Sequence, residues 1–166
     1  MVTAAEKKKR DAVEAVKINE KKWGKTLMEA GWTAFPSILV EKQHALGLDA
    51  LDINILLYLS TYWWESENKP YPAKKTIAQA IGVDPRTVQR RIAALEHAGL
   101  LRREYRPDKE KGNKTNKYHF DGLISEAEPY AEEKLASIKD RKEKEEDRLR
   151  RKRPIKLKGI DGGLNK

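Results

Sequence analysis

Apolar residues recur at intervals of three and four along most of the chain, the period of a helix with one buried face. The pattern is clearest from Lys74 to Leu101. Ile77, Ala78 and Ile81 share one face of a first helix, and Val88, Ile92 and Leu95 form a stripe on a second. Gly82 lies between them, where a left-handed backbone costs glycine little. Asp84 is a good N-cap, and Pro85 suits the first helical position because its missing N–H is not needed there. Gly99 ends the second helix, and Leu100-Leu101 start an apolar strand.

On the N-terminal side, residues 4–28 read as one proline-free helix. Val13, Val16, Glu20, Trp23 and Leu27 make a heptad-like stripe with one polar interruption. Gly31-Trp32-Thr33-Ala34-Phe35-Pro36 reads as a turn and a brief strand, and Ser37 to Leu46 as a short helix stopped by Gly47. Asp49 to Ser66 is the most apolar helix, capped by Asp49, with Asp52 in its first turn. Its aromatics, Tyr58, Tyr62, Trp63 and Trp64, are expected to pack in the core and over the Pro70-Tyr71-Pro72 loop. A base-stacking platform is the other reading of them.

On the C-terminal side, Leu100–Arg106 and Asn116–Phe120 are strand-like and flank the polar turn segment 107–115. Leu101, Tyr105, Tyr118 and Phe120 are the expected anchors of this hairpin. Asp121-Gly122-Leu123-Ile124 closes the domain. Ser125 to Arg153 reads as a long polar helix, acidic early and basic late as the helix dipole favours. Residues 154–166 are expected to be a flexible tail.

If Val88 points inward, Arg86, Arg90 and Ala93 point outward, with Gln89 on the flank. Arginine bonds guanine bidentately and glutamine bonds adenine, so such a face suits the major groove. An ordinary solvated face is the plainer reading, but the turn, the cap and the basic face occur together. Thr76-Ile77-Ala78, Gly82-Val83, Arg86-Thr87-Val88-Gln89-Arg90, Leu95-Glu96 and Gly99-Leu100-Leu101 resemble the helix-turn-helix of winged-helix DNA-binding proteins, most closely those of bacterial, phage and plasmid regulators and replication proteins. Where such domains usually carry a Ser or Thr cap on the first helix, this chain has Ala73.

The resemblance implies a mainly α fold with a small β wing (α+β), a winged helix-turn-helix with long helical extensions at both ends. The expected parts are an N-terminal extension (1–25), the DNA-binding domain (26–124), a charged helix (125–153) and the tail. It also implies site-specific binding of double-stranded DNA by a transcriptional regulator. Arg86, Gln89 and Arg90 would read bases. Lys74, Lys75, Thr76, Thr87 and Arg91 would hold phosphates. Lys109, Lys111 and Lys114 on the wing would add backbone or minor-groove contacts. The expected partner protein is a second copy, joined through the N- or C-terminal helix. Replication initiation at a plasmid or phage origin is the alternative role, and a protein-interaction winged helix a third.

Composition agrees. The formal charge is +9, from 35 basic and 26 acidic residues in 166, which attracts polyanions. From Arg86 to Lys117 there are ten basic and four acidic residues, so six of the nine surplus charges lie on the elements a winged helix turns toward DNA. With no cysteine, disulfides and thiolate metal sites are excluded. No secretory or membrane-spanning segment is legible, and a cytoplasmic, nucleoid-associated protein is expected. His44, His97 and His119 are scattered and read as surface or edge residues. No phosphate loop, nucleophile motif or metal spacing occurs, so no enzyme, cofactor or metal is expected.

Overall fold

The computed structural model describes residues 4–107 and 114–150, with side chains from Val13 on, Ala15 excepted. The chain divides into two units, Met1–Ala127 and Glu128–Lys166. In order, the elements are α1 (Ala4–Trp23), α2 (Lys25–Ala30), α3 (Ser37–Glu41), α4 (Ala50–Ser60), α5 (Lys74–Ile81), α6 (Pro85–His97), β1 (Arg102–Arg106), β2 (Lys114–His119) and α7 (Asp121–Arg150).

The core of the first unit is built on α4, whose Ile55, Leu56 and Leu59 are fully buried. Ile77 and Ala78 of α5, and Val88, Ile92 and Leu95 of α6, close over it as their spacing predicts. Leu100, Leu101, Tyr118, Phe120, Leu123 and Ala127 complete it from the hairpin side. Asp49 caps α4 by accepting from the Leu51 and Asp52 amides. The Asp52 carboxylate accepts from the Asp49 amide in return, forming a capping box.

Several expected elements differ, and the helix expected over Ser37–Leu46 ends at Glu41. The N-terminal helix is not continuous, because Gly24 adopts φ 84° and splits it into α1 and α2. The most apolar helix stops at Ser60, not Ser66. The Ser60 and Thr61 hydroxyls donate to the carbonyls of Leu57 and Tyr58, both at 2.7 Å, and so bend back on the last turn. Trp63 then folds over to stack on Phe120, with ring centroids 5.1 Å apart. Trp63 is the aromatic that covers the core; Tyr62 and Trp64 remain exposed. Residues 31–36 form no strand, and among the described residues the sheet has two strands. The β2 edge bonds instead to the 61–73 loop, where the Tyr118 amide donates to the Pro70 carbonyl at 2.9 Å.

The hairpin pairs β1 antiparallel to β2, with Arg102 opposite His119, Arg103 opposite Tyr118 and Glu104 opposite Lys117. The register shifts between Glu104 and Arg106. A local irregularity of this kind re-aims a side chain, and Tyr105 there is 65% exposed. It is not an anchor, whereas Leu101, Tyr118 and Phe120 are buried.

Residues 121–124, expected to close the domain before a helix from Ser125, are the first turn of α7. The Leu123 amide donates to the Leu100 carbonyl at 2.9 Å. Gly122 lies so close to the Gly99 carbonyl that a Cβ would collide with backbone. In the second unit, Glu128–Arg150 is a polar helix carrying Lys139–Glu143, Lys144–Asp140 and Arg150–Glu146 pairs at i,i+4 spacing. The tail and the basic residues beyond Arg150 lie outside the described residues. Among the described residues no helix is long and apolar enough to cross a membrane.

Glycine-to-alanine changes in helices usually stabilise, because alanine has the better helix propensity. Gly122→Ala is expected to do the opposite, lowering stability by about 1–3 kcal/mol through overpacking against backbone. Urea unfolding followed by circular dichroism checks the sign.

Candidate nucleic-acid interface

The site is assembled by α5, the turn after it and α6. Gly82 takes φ 72° and ψ 34°, the left-handed region, and so reverses the chain between the helices. The Val83 amide reaches back to the Ala78 carbonyl at 3.0 Å. Asp84 then caps α6, accepting from the Arg86 amide at 2.7 Å, with Pro85 in the first turn. Ala73 caps α5 with no side-chain hydrogen bond.

Burial of Val88, Ile92 and Leu95 fixes the rotation of α6 about its axis. Arg86, Gln89 and Arg90 are consequently exposed. With Lys74, Lys75 and Pro85 they line an open groove of about 610 Å³. Lys74 Nζ donates to Gln89 Oε1 at 3.1 Å, tying the first turn of α5 to the middle of α6. Four of the groove's six residues are cationic and none is acidic. The groove also takes in Pro85 and Arg86 at the start of α6, where the helix dipole favours anions.

The structure brings together five of the expected site residues: Lys74, Lys75, Arg86, Gln89 and Arg90. Thr76 is exposed on α5 and Thr87 half-buried on α6; neither lines the groove. Arg91 is turned the other way. It meets Asp49 at 2.5 Å and Asp52 at 3.8 Å, so that α6 is pinned to the capping box of α4. The amide hydrogen bond from Asp52 holds the Asp49 carboxyl below the usual carboxylate range, with Arg91 adding to the effect. Burial pushes Asp52 up. Lys114 begins β2. Lys109 and Lys111 lie outside the described residues.

Several basic residues that sequence reasoning counted toward a polyanion-binding face are engaged within the protein. Arg103 chelates Glu96, its amide at 3.2 Å and Nε at 2.7 Å from the carboxylate, with Nη2 closer still. This joins the last turns of α6 to β1. Arg102 lies 3.7 Å from Asp121, and Lys117 3.6 Å from Glu104. Glu104 also meets His119 Nε2 at 2.8 Å, and this contact holds its carboxyl low. His119 is therefore a partner within the hairpin, unlike a free edge residue. Sequence reasoning also missed the role of Arg106. It donates to the Thr115 carbonyl at 2.7 Å and lies 5.0 Å from the ring of Tyr71. The hairpin brings Thr115 beside Arg106, which pairs across the strands with Lys114, but no local spacing signals Tyr71, which is distant in sequence.

A family model described as "Helix-turn-helix domain" matches residues 46–101, covering α4, α5 and α6. The chain carries a winged helix-turn-helix fold. The second helix of the helix-turn-helix is α6, and the β1–β2 hairpin stands in the place of the wing. Among solved structures it is similar to the N-terminal domain of DnaD protein from Geobacillus kaustophilus HTA426. There the TM-score is 0.50 at 17% identity, over 69% of this chain and 93% of that one. At that identity the likeness is one of fold. The transcriptional regulator PA3341 gives a TM-score of 0.36 at 24% identity over 61% of this chain and 70% of that one. Disulfide-formed AbfR gives 0.37 at 15% identity over 87% and 97%. No curated protein matches the chain.

The Arg103–Glu96 pair ties the β1–β2 hairpin to α6. Hydrogen bonds from Arg103 hold the Glu96 carboxyl below the usual glutamate range. A depressed carboxylate stabilises the fold above its unfolded value of about 4.3 and loses that contribution as pH falls through the folded value. Glu96→Gln should therefore cost about 1–2 kcal/mol at neutral pH, and the difference from the parent should close in strong acid. Thermal unfolding of both proteins across the acid range tests this. A gap that persists below the folded value would show that the pair does not act through charge.

Proposed function

We propose that the chain is a site-specific double-stranded DNA-binding regulator. The groove of Lys74, Lys75, Arg86, Gln89 and Arg90 carries this reading. It has two lysines from the start of the first helix, two arginines and a bidentate amide from the second helix of a helix-turn-helix, and no carboxylate in its lining. Among the described residues none of these four cations is ion-paired, so their charge is available to phosphates or base edges. The helix-turn-helix match supports DNA as the partner.

In this reading α6 enters the major groove and Arg86, Gln89 and Arg90 meet base edges. Lys74 and Lys75, with the Thr76 and Thr87 hydroxyls, hold phosphates and fix register. Lys74 has a second task, orienting the Gln89 amide through its 3.1 Å bond. Arg91 serves by fixing the recognition helix on α4, and the wing lysines Lys109, Lys111 and Lys114 lie along the backbone. Two copies would bind a palindrome, one recognition helix in each half-site.

Selection of bound duplexes from a random pool tests the reading. A two-fold symmetric motif is the expected result. Direct repeats would point to an origin-binding protein, and no enriched motif, with a steep salt dependence, to phosphate binding alone.

On the selected site, Arg90→Ala should cost about 1–3 kcal/mol and relax the preference at one base pair. Lys75→Ala should weaken selected and random DNA alike and reduce the salt slope by about one. Quantitative band-shift titrations on both duplexes distinguish the two. Equal losses for Arg90→Ala on both would remove Arg90 as a base reader.

A further inference from the structure

The described residues leave one face of the first unit conspicuously apolar. Trp23 at the end of α1 is 66% exposed, Leu27 on α2 60%, Trp32 in the following segment 43% and Trp64 after α4 64%. Trp23, Leu27, Met28 and Trp32 line a groove of about 380 Å³ with Asn19, Gly31 and Thr33. Trp64 meets Trp32 edge-on, the centroids 6.4 Å apart. The arrangement is held in place: the Thr33 hydroxyl donates to the Ser60 carbonyl at 3.2 Å, fixing the Trp32 segment against the end of α4. Val13, also exposed, and the half-buried Val16 continue the same stripe up α1.

We propose that this face docks a second copy of the chain, forming a two-fold dimer. The area fits. Large aromatic side chains bury about 150–250 Å² each, so at the exposures above the three tryptophans and Leu27 present on the order of 500 Å² of open apolar surface. A standard interface takes about 800 Å² per partner, with a core near two-thirds apolar, which is the same apolar area. The shape also suits self-association. The face carries both a groove of about 380 Å³ and exposed indoles, as an isologous contact requires. Tryptophan is the side chain most enriched among residues that dominate binding energy.

None of these residues lines the recognition groove, so pairing here leaves that groove open. The C-terminal helix offers less. On Glu128–Arg150 the large exposed apolar residues are Leu135, Ile138 and Leu149, and Lys142 and Glu145 interrupt their heptad spacing. The inference deepens the two-copy reading above and rests on it for its purpose, but the interface is measured without DNA.

Sedimentation velocity of the full chain alone should show a dimer at micromolar concentration. Tryptophan emission should shift to the blue as concentration rises, since three of the four tryptophans belong to this face. Trp23→Lys should weaken the dimer by at least about thirtyfold, the loss expected of a dominant interface residue. Trp23 is largely exposed, so its replacement should leave the circular dichroism spectrum unchanged; Trp64→Lys is a second variant with the same expectation. Tyr105→Lys, an equally exposed aromatic on the wing, should leave the dimer intact. A parent chain that stays monomeric, or a dimer indifferent to both tryptophan changes, overturns the proposal. On DNA, Trp23→Lys should retain half-site binding and lose the gain from the second half-site. Failure of the parent to bind any half-site would instead refute the DNA-binding reading and leave the dimer result standing.

Discussion

Val88, Ile92 and Leu95 lie along one side of α6 and are removed from water against α4 and α5. The functional geometry follows from that burial. A helix that buries one stripe has its rotation decided, because turning it would expose isoleucine and leucine and drive arginine into the core. Arg86, Gln89 and Arg90 face outward for this reason, and no contact of their own is needed to hold them there. The left-handed turn at Gly82 and the Asp84 cap then decide where the helix begins. Lys74 and Lys75 are brought beside it by the packing of α5.

Ion pairs lie at the margins of α6. Arg91 joins it to the capping box of α4, and Glu96 joins it to the wing through Arg103. Each pair adds a polar contact between elements already joined by apolar packing. Each also withdraws a cation from the surface: Arg91, Arg102, Arg103 and Lys117 all spend their charge on neighbouring carboxylates. What remains is less basic than the composition of residues 86–117 implies, and more sharply placed. Net charge governs attraction to a polyanion at long range, whereas the unpaired cations govern the contact.

The N-terminal part follows a different logic. Gly24 breaks the helix, and Trp23 of α1 with Leu27 and Met28 of α2 lines a shallow groove together with Trp32, which Trp64 meets edge-on. Termination of α4 by the Ser60 and Thr61 hydroxyls contributes to the same result, since it releases Trp64 from a helix and lets Trp63 cover Phe120. Local backbone chemistry at two chain positions thus produces an apolar surface far larger than either segment would show alone.

The amino-acid sequence by itself determined the helix-turn-helix. Its signals are local: an apolar period of three and four, a glycine that can turn left-handed, an aspartate cap followed by proline, and a basic outward face that follows once Val88 is turned inward. The hairpin was legible for the same reason, from two alternating runs around a polar turn. Only the tertiary structure decided which charges stay free, because Arg91 and Asp49, or Arg103 and Glu96, meet through packing that no short-range rule encodes. It also decided the fate of the aromatics. Tyr105, Trp63 and Trp64 have equal propensity to pack, and a register shift in one strand and two hydroxyl back-bonds in one helix sent Trp63 to the core and the others to the surface.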